Sequence, residues 1–190
     1  MQDVYLYAIV YKSQDNYKHK TQKHMPLPSD VSGGVGGGDY FKPEKGQNKI
    51  LIVGDAVTGY EYWTNEDKPI RSKTKFEETP DIKVRTVDGA EKPDTQKFFW
   101  AMPVYDFKDN SVKLWQVTQK TLRDSLASLQ SNDDWGNPIG NYTINIDRQG
   151  ENLTTKYTVV ANPVKDKKAL DAIMDAYKAE PMNVEGLMFS

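Results

Sequence analysis

The chain contains no cysteine. That excludes disulfides, thiolate metal sites and thiol nucleophiles, and fits a reducing compartment. Histidine is nearly as scarce: His19 and His24 are the two in the chain, both near its start. No run approaches the ~20 apolar residues of a membrane-spanning helix. The run Val4-Tyr-Leu-Tyr-Ala-Ile-Val-Tyr11 is too short and lacks both a basic leader and a small-residue cleavage site, so no secretory leader is expected. Neither sign of charge dominates. Lys and Arg number 25 against 27 Asp and Glu, a formal net charge of −2. A global basic field that would by itself announce nucleic acid is missing, although a local basic groove is compatible with this balance.

What is present describes a globular chain of one proper domain with appendages, 190 residues long, 37% hydrophobic and 27% charged. Residues 1–39 differ from the rest. A short apolar run leads through the two histidines into Met25-Pro-Leu-Pro-Ser-Asp30 and a glycine run ending at Gly38. This reads as an arm and a Gly-rich linker. A phosphate loop would need Gly-Lys-Ser/Thr at its end, whereas Asp39-Tyr40 follows here. The sequons at Asn141 and Asn152 read as chance.

The body is expected to start at Tyr40. Lys49–Val53 is a short apolar strand, and Gly59-Tyr-Glu-Tyr-Trp63 resumes an extended pattern. Residues 68–97 form a charged excursion with one short strand near Ile82–Thr86 and a tight turn at Val87–Ala90. Phe98–Thr118 reads as a hairpin running into a helix capped by Thr118, with Leu122, Leu126 and Leu129 on one face. Tyr142, Ile144 and Ile146 alternate with polar residues in a half-buried strand, and Leu153, Thr155, Tyr157 and Val159 form its partner. A final helix spans about 165–180, with Leu170, Ile173, Met174 and Tyr177 as its stripe and Pro181 as its stop. The expected fold is therefore mainly β: a five-stranded OB-fold-like Greek-key barrel with a helix between strands 3 and 4 and a C-terminal helix. Residues 1–39 are the arm, 40–163 the OB-fold domain and 164–190 the C-terminal helix and tail. A small sandwich with an inserted helix gives the same string.

Catalysis finds no support. The carboxylate pairs Glu77-Glu78 and Asp133-Asp134 are sequence neighbours, which point apart on extended chain, and no nucleophile stands beside a base. No metal or other cofactor is expected, since His19 and His24 would need a carboxylate and a folded segment to share an ion. The aromatic content says more. Tyr60, Tyr62, Trp63, Phe76, Phe98, Phe99, Trp100, Tyr105, Phe107 and Trp115 are interleaved with Lys68, Arg71, Lys73, Lys75, Lys83, Arg85, Lys97 and Lys113. Single-stranded nucleic acid asks for this mixture, cations for phosphates and flat faces for bases. The bland alternative is that the aromatics are core and the cations are solvated surface. A protein-interaction module using the same aromatics as a docking patch is the rival from another class, and RNA is an alternative ligand.

A series of segments then occurs in order: Asn48-Lys-Ile-Leu-Ile, Gly59-Tyr-Glu-Tyr-Trp63, Lys68-Pro-Ile-Arg-Ser72, Lys97-Phe-Phe-Trp100, Gln116-Val-Thr-Gln-Lys-Thr121, Asp134-Trp-Gly136, Tyr142-Thr-Ile-Asn-Ile-Asp-Arg-Gln-Gly150 and Leu153-Thr-Thr-Lys-Tyr-Thr-Val159. Together they resemble tailed-phage single-stranded-DNA-binding proteins with an OB-fold, over residues 40–163. The resemblance implies non-enzymatic, sequence-independent coating of single strands in phage replication, recombination or repair, in the cytoplasm of an infected or prophage-bearing bacterium. Trp63, Arg71, Lys73, Phe76, Lys97, Trp100, Arg148 and Lys156 are then the expected groove residues, while Trp135-Gly136 and the Leu153/Tyr157 face look structural. Residues 1–39 have no counterpart in the resemblance, as a lineage-specific arm or a mis-assigned start would have none. Many single-strand binders recruit replication or recombination proteins through an acidic C-terminal tail. Here the chain ends Glu185-Gly-Leu-Met-Phe-Ser190 with one acid, which suggests a truncated tail.

The hairpin adds two further residues. Closed over Lys108–Ser111, it sets Phe107 opposite Val112 and Tyr105 opposite Leu114. Phe99, Tyr105, Phe107, Val112 and Leu114 then share one face, and Phe98, Trp100, Val104, Lys113 and Trp115 the other. Because Lys113 marks the second face as solvated, Lys113 and Trp115 are expected to join the DNA groove. A bulge at Pro103 would exchange the faces. Coverage of the outer face by the C-terminal helix would make all these aromatics core.

Overall fold

The computed structural model describes residues 40–87, 89–151 and 154–190. The expected arm and linker, His19 and His24, Asp88, Asn152 and Leu153 lie outside that set. The order is β1 (Gly46–Ile52), β2 (Val57–Trp63), β3 (Pro69–Ser72), β4 (Val84–Val87), β5 (Ala90–Pro93), β6 (Lys97–Asp106), β7 (Ser111–Val117), α1 (Lys120–Gln130), β8 (Thr143–Gln149), β9 (Lys156–Asn162), α2 (Lys167–Ala179) and α3 (Val184–Phe189). The protein is mainly β, as expected, but the closed five-stranded barrel is not formed. Seven strands make one open antiparallel sheet in the order β3-β2-β6-β1-β8-β9, with β7 also paired to β6. The excursion 68–97 supplies β3 and a separate two-stranded hairpin, β4–β5.

The ten-residue strand β6 organises the sheet. Its first half pairs with β2 (Tyr60 opposite Phe98) and its second half with β1 (Ile52 opposite Val104), while β7 runs along the other edge. β1 and β2 are thus two segments of one strand path broken at 53–56. Pro103 sits opposite that break. Its carbonyl accepts from the Val53 N–H at 3.1 Å, so the N–H it lacks would point toward the gap in the partner strand. A proline is tolerated there in a fully buried central strand.

No bulge occurs at Pro103, and the hairpin register runs unbroken from Trp100–Val117 to Asp106–Ser111. Tyr105 faces Val112 and Pro103 faces Leu114, one step short of the expected pairing. A two-residue change in the sum of partners preserves the faces. Their environments are the correction. Trp115, Val104 and Met102 join Ile50, Ile52, Ile144 and Ile146 in the main core, closed by Leu122 and Leu126 of α1. Trp115 is only 1% exposed, with Phe41 edge-on to its ring at 5.7 Å. The opposite face is also covered. α3 packs Val184 and Met188 onto Phe99, Ala101 and Leu114, and α2 packs Leu170 onto Leu51 and Val53. The expected tail is therefore the helix α3, docked on the sheet.

Helix stripes fall where the apolar spacing put them. α1 starts one residue later than expected: Gln119, not Thr118, is the N-cap, and it makes no side-chain cap bond. In α2 the Asp166 carboxylate accepts from the Ala169 N–H at 3.0 Å. Where a barrel would close, Tyr40 instead bridges Leu114 in parallel, and the Phe41 N–H donates to the Leu114 carbonyl at 2.8 Å. Among the described residues no helix is long and apolar enough to cross a membrane.

Candidate functional site

Directly opposed residues of an antiparallel pair share a face. On β2 and β6 this places Thr58 beside Trp100 and Tyr60 beside Phe98; Tyr60 is in turn beside Ser72, and Tyr62 beside Ile70. This is the face whose other end forms the main core. Beyond α1 its residues are less covered: Trp100, Phe98 and Tyr60 are half-buried, Thr58 is exposed and Ile70 is 38% exposed. The Tyr60 and Phe98 rings lie 5.2 Å apart at a tilt of 55°. Arg123, from α1, sets its guanidinium 5.2 Å from the Phe98 centroid and donates to the Phe98 and Thr118 carbonyls. Phe76 meets Tyr62 edge-on at 5.0 Å, at the far end of the row. A cation is thus fixed beside a row of rings, the pairing that base stacking and phosphate contact require.

The ten residues expected in one groove fall into separate groups. Trp100 and Phe76 belong to the aromatic face. Trp63, Arg71 and Lys97 have the opposite parity, on the side of Glu61. There Arg71 Nε lies 3.4 Å from the buried Glu61 carboxylate, and its Nη2 donates to Gln116 Oε1 at 3.2 Å. Lys73 pairs with Glu185 of α3, and Lys97 lies 3.8 Å from Asp94. Lys113 is not a solvated groove cation. It closes the β6–β7 turn by pairing with Asp106, at 2.8 Å, and with Asp109. These partners raise the Lys113 pKa, the hydrogen bond to Asp106 most, and the Lys113 hydrogen bond in turn holds Asp109 below the usual carboxylate range. Trp115 is core. Lys156 is exposed on β9 opposite Gln149.

Arg148 and Trp115 do come together, at the seam between β7 and the β8–β9 pair. They line a cavity of about 230 Å³ with Phe41, Lys42, Gln116 and Tyr157. Arg148 Nη1 donates to the Pro43 carbonyl at 3.1 Å. A second cavity, of about 250 Å³, is lined by Trp100, Met102, Leu126 and Gln130, with Asp55 at the β1–β2 break.

Arg123, Phe41 and Lys42 were not expected at either place. Arg123 offered no signal beyond lying one residue from Leu122 on the apolar stripe of α1. Phe41 and Lys42 lie outside every periodic segment.

No protein family, curated protein or solved structure matches the chain.

Proposed function

We propose that this chain binds single-stranded DNA without sequence preference and without catalysis, in phage replication, recombination or repair. The observation that supports it most is the half-buried row Trp100–Phe98–Tyr60 with Arg123 set against it. Every base has a π-face, so such a row stacks on any sequence, while the guanidinium answers the backbone charge. The strand order lends further support to an OB-type core. Counting β1, β6, β7, β8 and β9 alone, α1 falls between the third and fourth strands, and the pairs β1–β6, β6–β7, β1–β8 and β8–β9 are present. Closure between β7 and β9 is the missing element.

The test is fluorescence anisotropy of a labelled oligo-dT at two salt concentrations, with matching duplex as competitor. Binding is expected to weaken with a log–log slope of about −0.7 per phosphate contacted, and the duplex is expected not to displace the oligomer. No binding at low salt removes the proposal. A protein-docking module is the second reading, favoured by Val84 and Val87, 44% and 43% exposed on the β4–β5 hairpin.

A further inference from the structure

The seam cavity shares no lining residue with the aromatic row. Two of its lining side chains, Lys42 and Arg148, are cations, and none is a carboxylate. The guanidinium is held in place but not saturated: Nη1 donates to Pro43, while the buried Nε has no hydrogen-bond partner among the described residues. The Nε is sealed from solvent, so the donor left to meet a ligand is Nη2, which has no hydrogen-bond partner among the described residues. Phe41, Trp115 and Tyr157 give the same cavity flat apolar walls. Thr118, Gln119 and Leu122 line it as well, so α1 begins there, with no side-chain cap and no acid in its first turn. The partial positive charge of that helix end adds to the two cations. At about 230 Å³ the cavity falls below the ~300–1,000 Å³ of ordinary ligand pockets, which limits it to one small unit.

A held guanidinium and a neighbouring lysine beside aromatic walls, in a space of that size, match a phosphate carried on one nucleoside. We infer that the seam between β7 and the β8–β9 pair is a mononucleotide site. Arg148 and Lys42 take the phosphate, and Tyr157, the half-buried ring of the three, takes the base. The nucleotide is either a free monophosphate or the phosphorylated end of a bound strand. The site stands independently of the strand-binding proposal.

The test titrates the full-length chain with deoxythymidine 5′-monophosphate, with thymidine and with inorganic phosphate, following tryptophan fluorescence and calorimetry. Oligo-dT with and without a 5′-phosphate forms a second arm. The monophosphate is expected to saturate and to bind tighter than either of its halves. Lys42→Gln, at an exposed position, and Arg148→Gln, with its fold checked by circular dichroism, are each expected to weaken it about tenfold or more. A preference for the 5′-phosphorylated oligomer that is lost in both variants assigns the site to a strand end. Equal oligomer affinities with monophosphate binding intact assign it to the free nucleotide. Inorganic phosphate binding as tightly as the monophosphate overturns the inference, and so does the absence of saturation by the monophosphate. Loss of oligomer binding in Tyr60→Ala with monophosphate binding unchanged separates the two sites. Failure of oligo-dT alone sinks the strand-binding proposal and leaves this one standing.

Discussion

Tyr60→Ala and Trp115→Ala should fail in opposite ways. Tyr60 is half-buried, and its ring is tilted against that of Phe98. An aromatic pair of this kind contributes ~0.5–1.5 kcal/mol beyond area burial. For a domain of this size each kcal/mol moves Tm by roughly 2–4 °C, so losing the ring pair costs about 1–6 °C and the half-buried area of the side chain adds about 2–4 °C more. A ring that stacks on a base contributes ~1–3 kcal/mol to binding, which is about 5- to 150-fold in affinity. Trp115 is 1% exposed among Met102, Val104 and Phe41. Truncating a buried Trp costs ~3–5 kcal/mol, or roughly 6–20 °C. Anisotropy with oligo-dT at a temperature where both variants remain folded, paired with thermal melts, reads both quantities. Tyr60→Ala is expected to lose affinity with the smaller Tm change, and Trp115→Ala to lose Tm with affinity kept. Unchanged affinity in Tyr60→Ala would refute the aromatic face as the strand-binding surface. An affinity loss in Trp115→Ala without a Tm change would refute its placement in the core.

Gly59 tests the seating of α3. A Cβ there would lie 2.7 Å from the Ser72 carbonyl oxygen and 2.9 Å from a Phe189 ring carbon, so Gly59→Ala is expected to cost ~1–3 kcal/mol by denaturant titration. The β6–β7 turn carries a pH dependence. Asp109, depressed below its ordinary 3.8, contributes stability that is complete above that value and lost as pH falls through the folded-state pKa. Lys113, raised above 10.5, contributes stability that is complete below 10.5 and lost as pH rises through its folded-state pKa. Urea midpoints of Lys113→Met should therefore be lower at neutral pH, with the gap to wild type narrowing below about pH 4.

How far the sequence could be read depends on the range of the interaction. The stripes of α1 and α2 and the two faces of the 98–117 hairpin follow from local spacing, and parity survived the register shift. What covers each face does not follow. Lys113 looked like a marker of solvent because its partners, Asp106 and Asp109, lie across a turn whose register was misjudged. Barrel closure depends on whether β7 meets β9, a pairing no local pattern encodes, and Tyr40–Phe41 stands beside β7 instead. α3 is six residues and β3 four, too short for periodicity to show. The candidate groove was legible as composition but not as geometry. Trp115 and Arg148 meet across the α1 excursion between β7 and β8, whereas Lys73, Lys97 and Lys113 are engaged with acids.

The placement of β6 sets a clock for the whole domain. Its central amides are bonded to a strand on one side or the other, and both its faces lie under side chains from helices. Deuterium should therefore enter the amides of Ala101, Met102 and Val104–Asp106 only when the entire domain unfolds, and these amides report global stability. The β4–β5 hairpin, exposed along both strands, should exchange orders of magnitude sooner. Bound strand or nucleotide would slow β6 only by the free energy of its own binding, which makes this strand an internal gauge of ligand affinity.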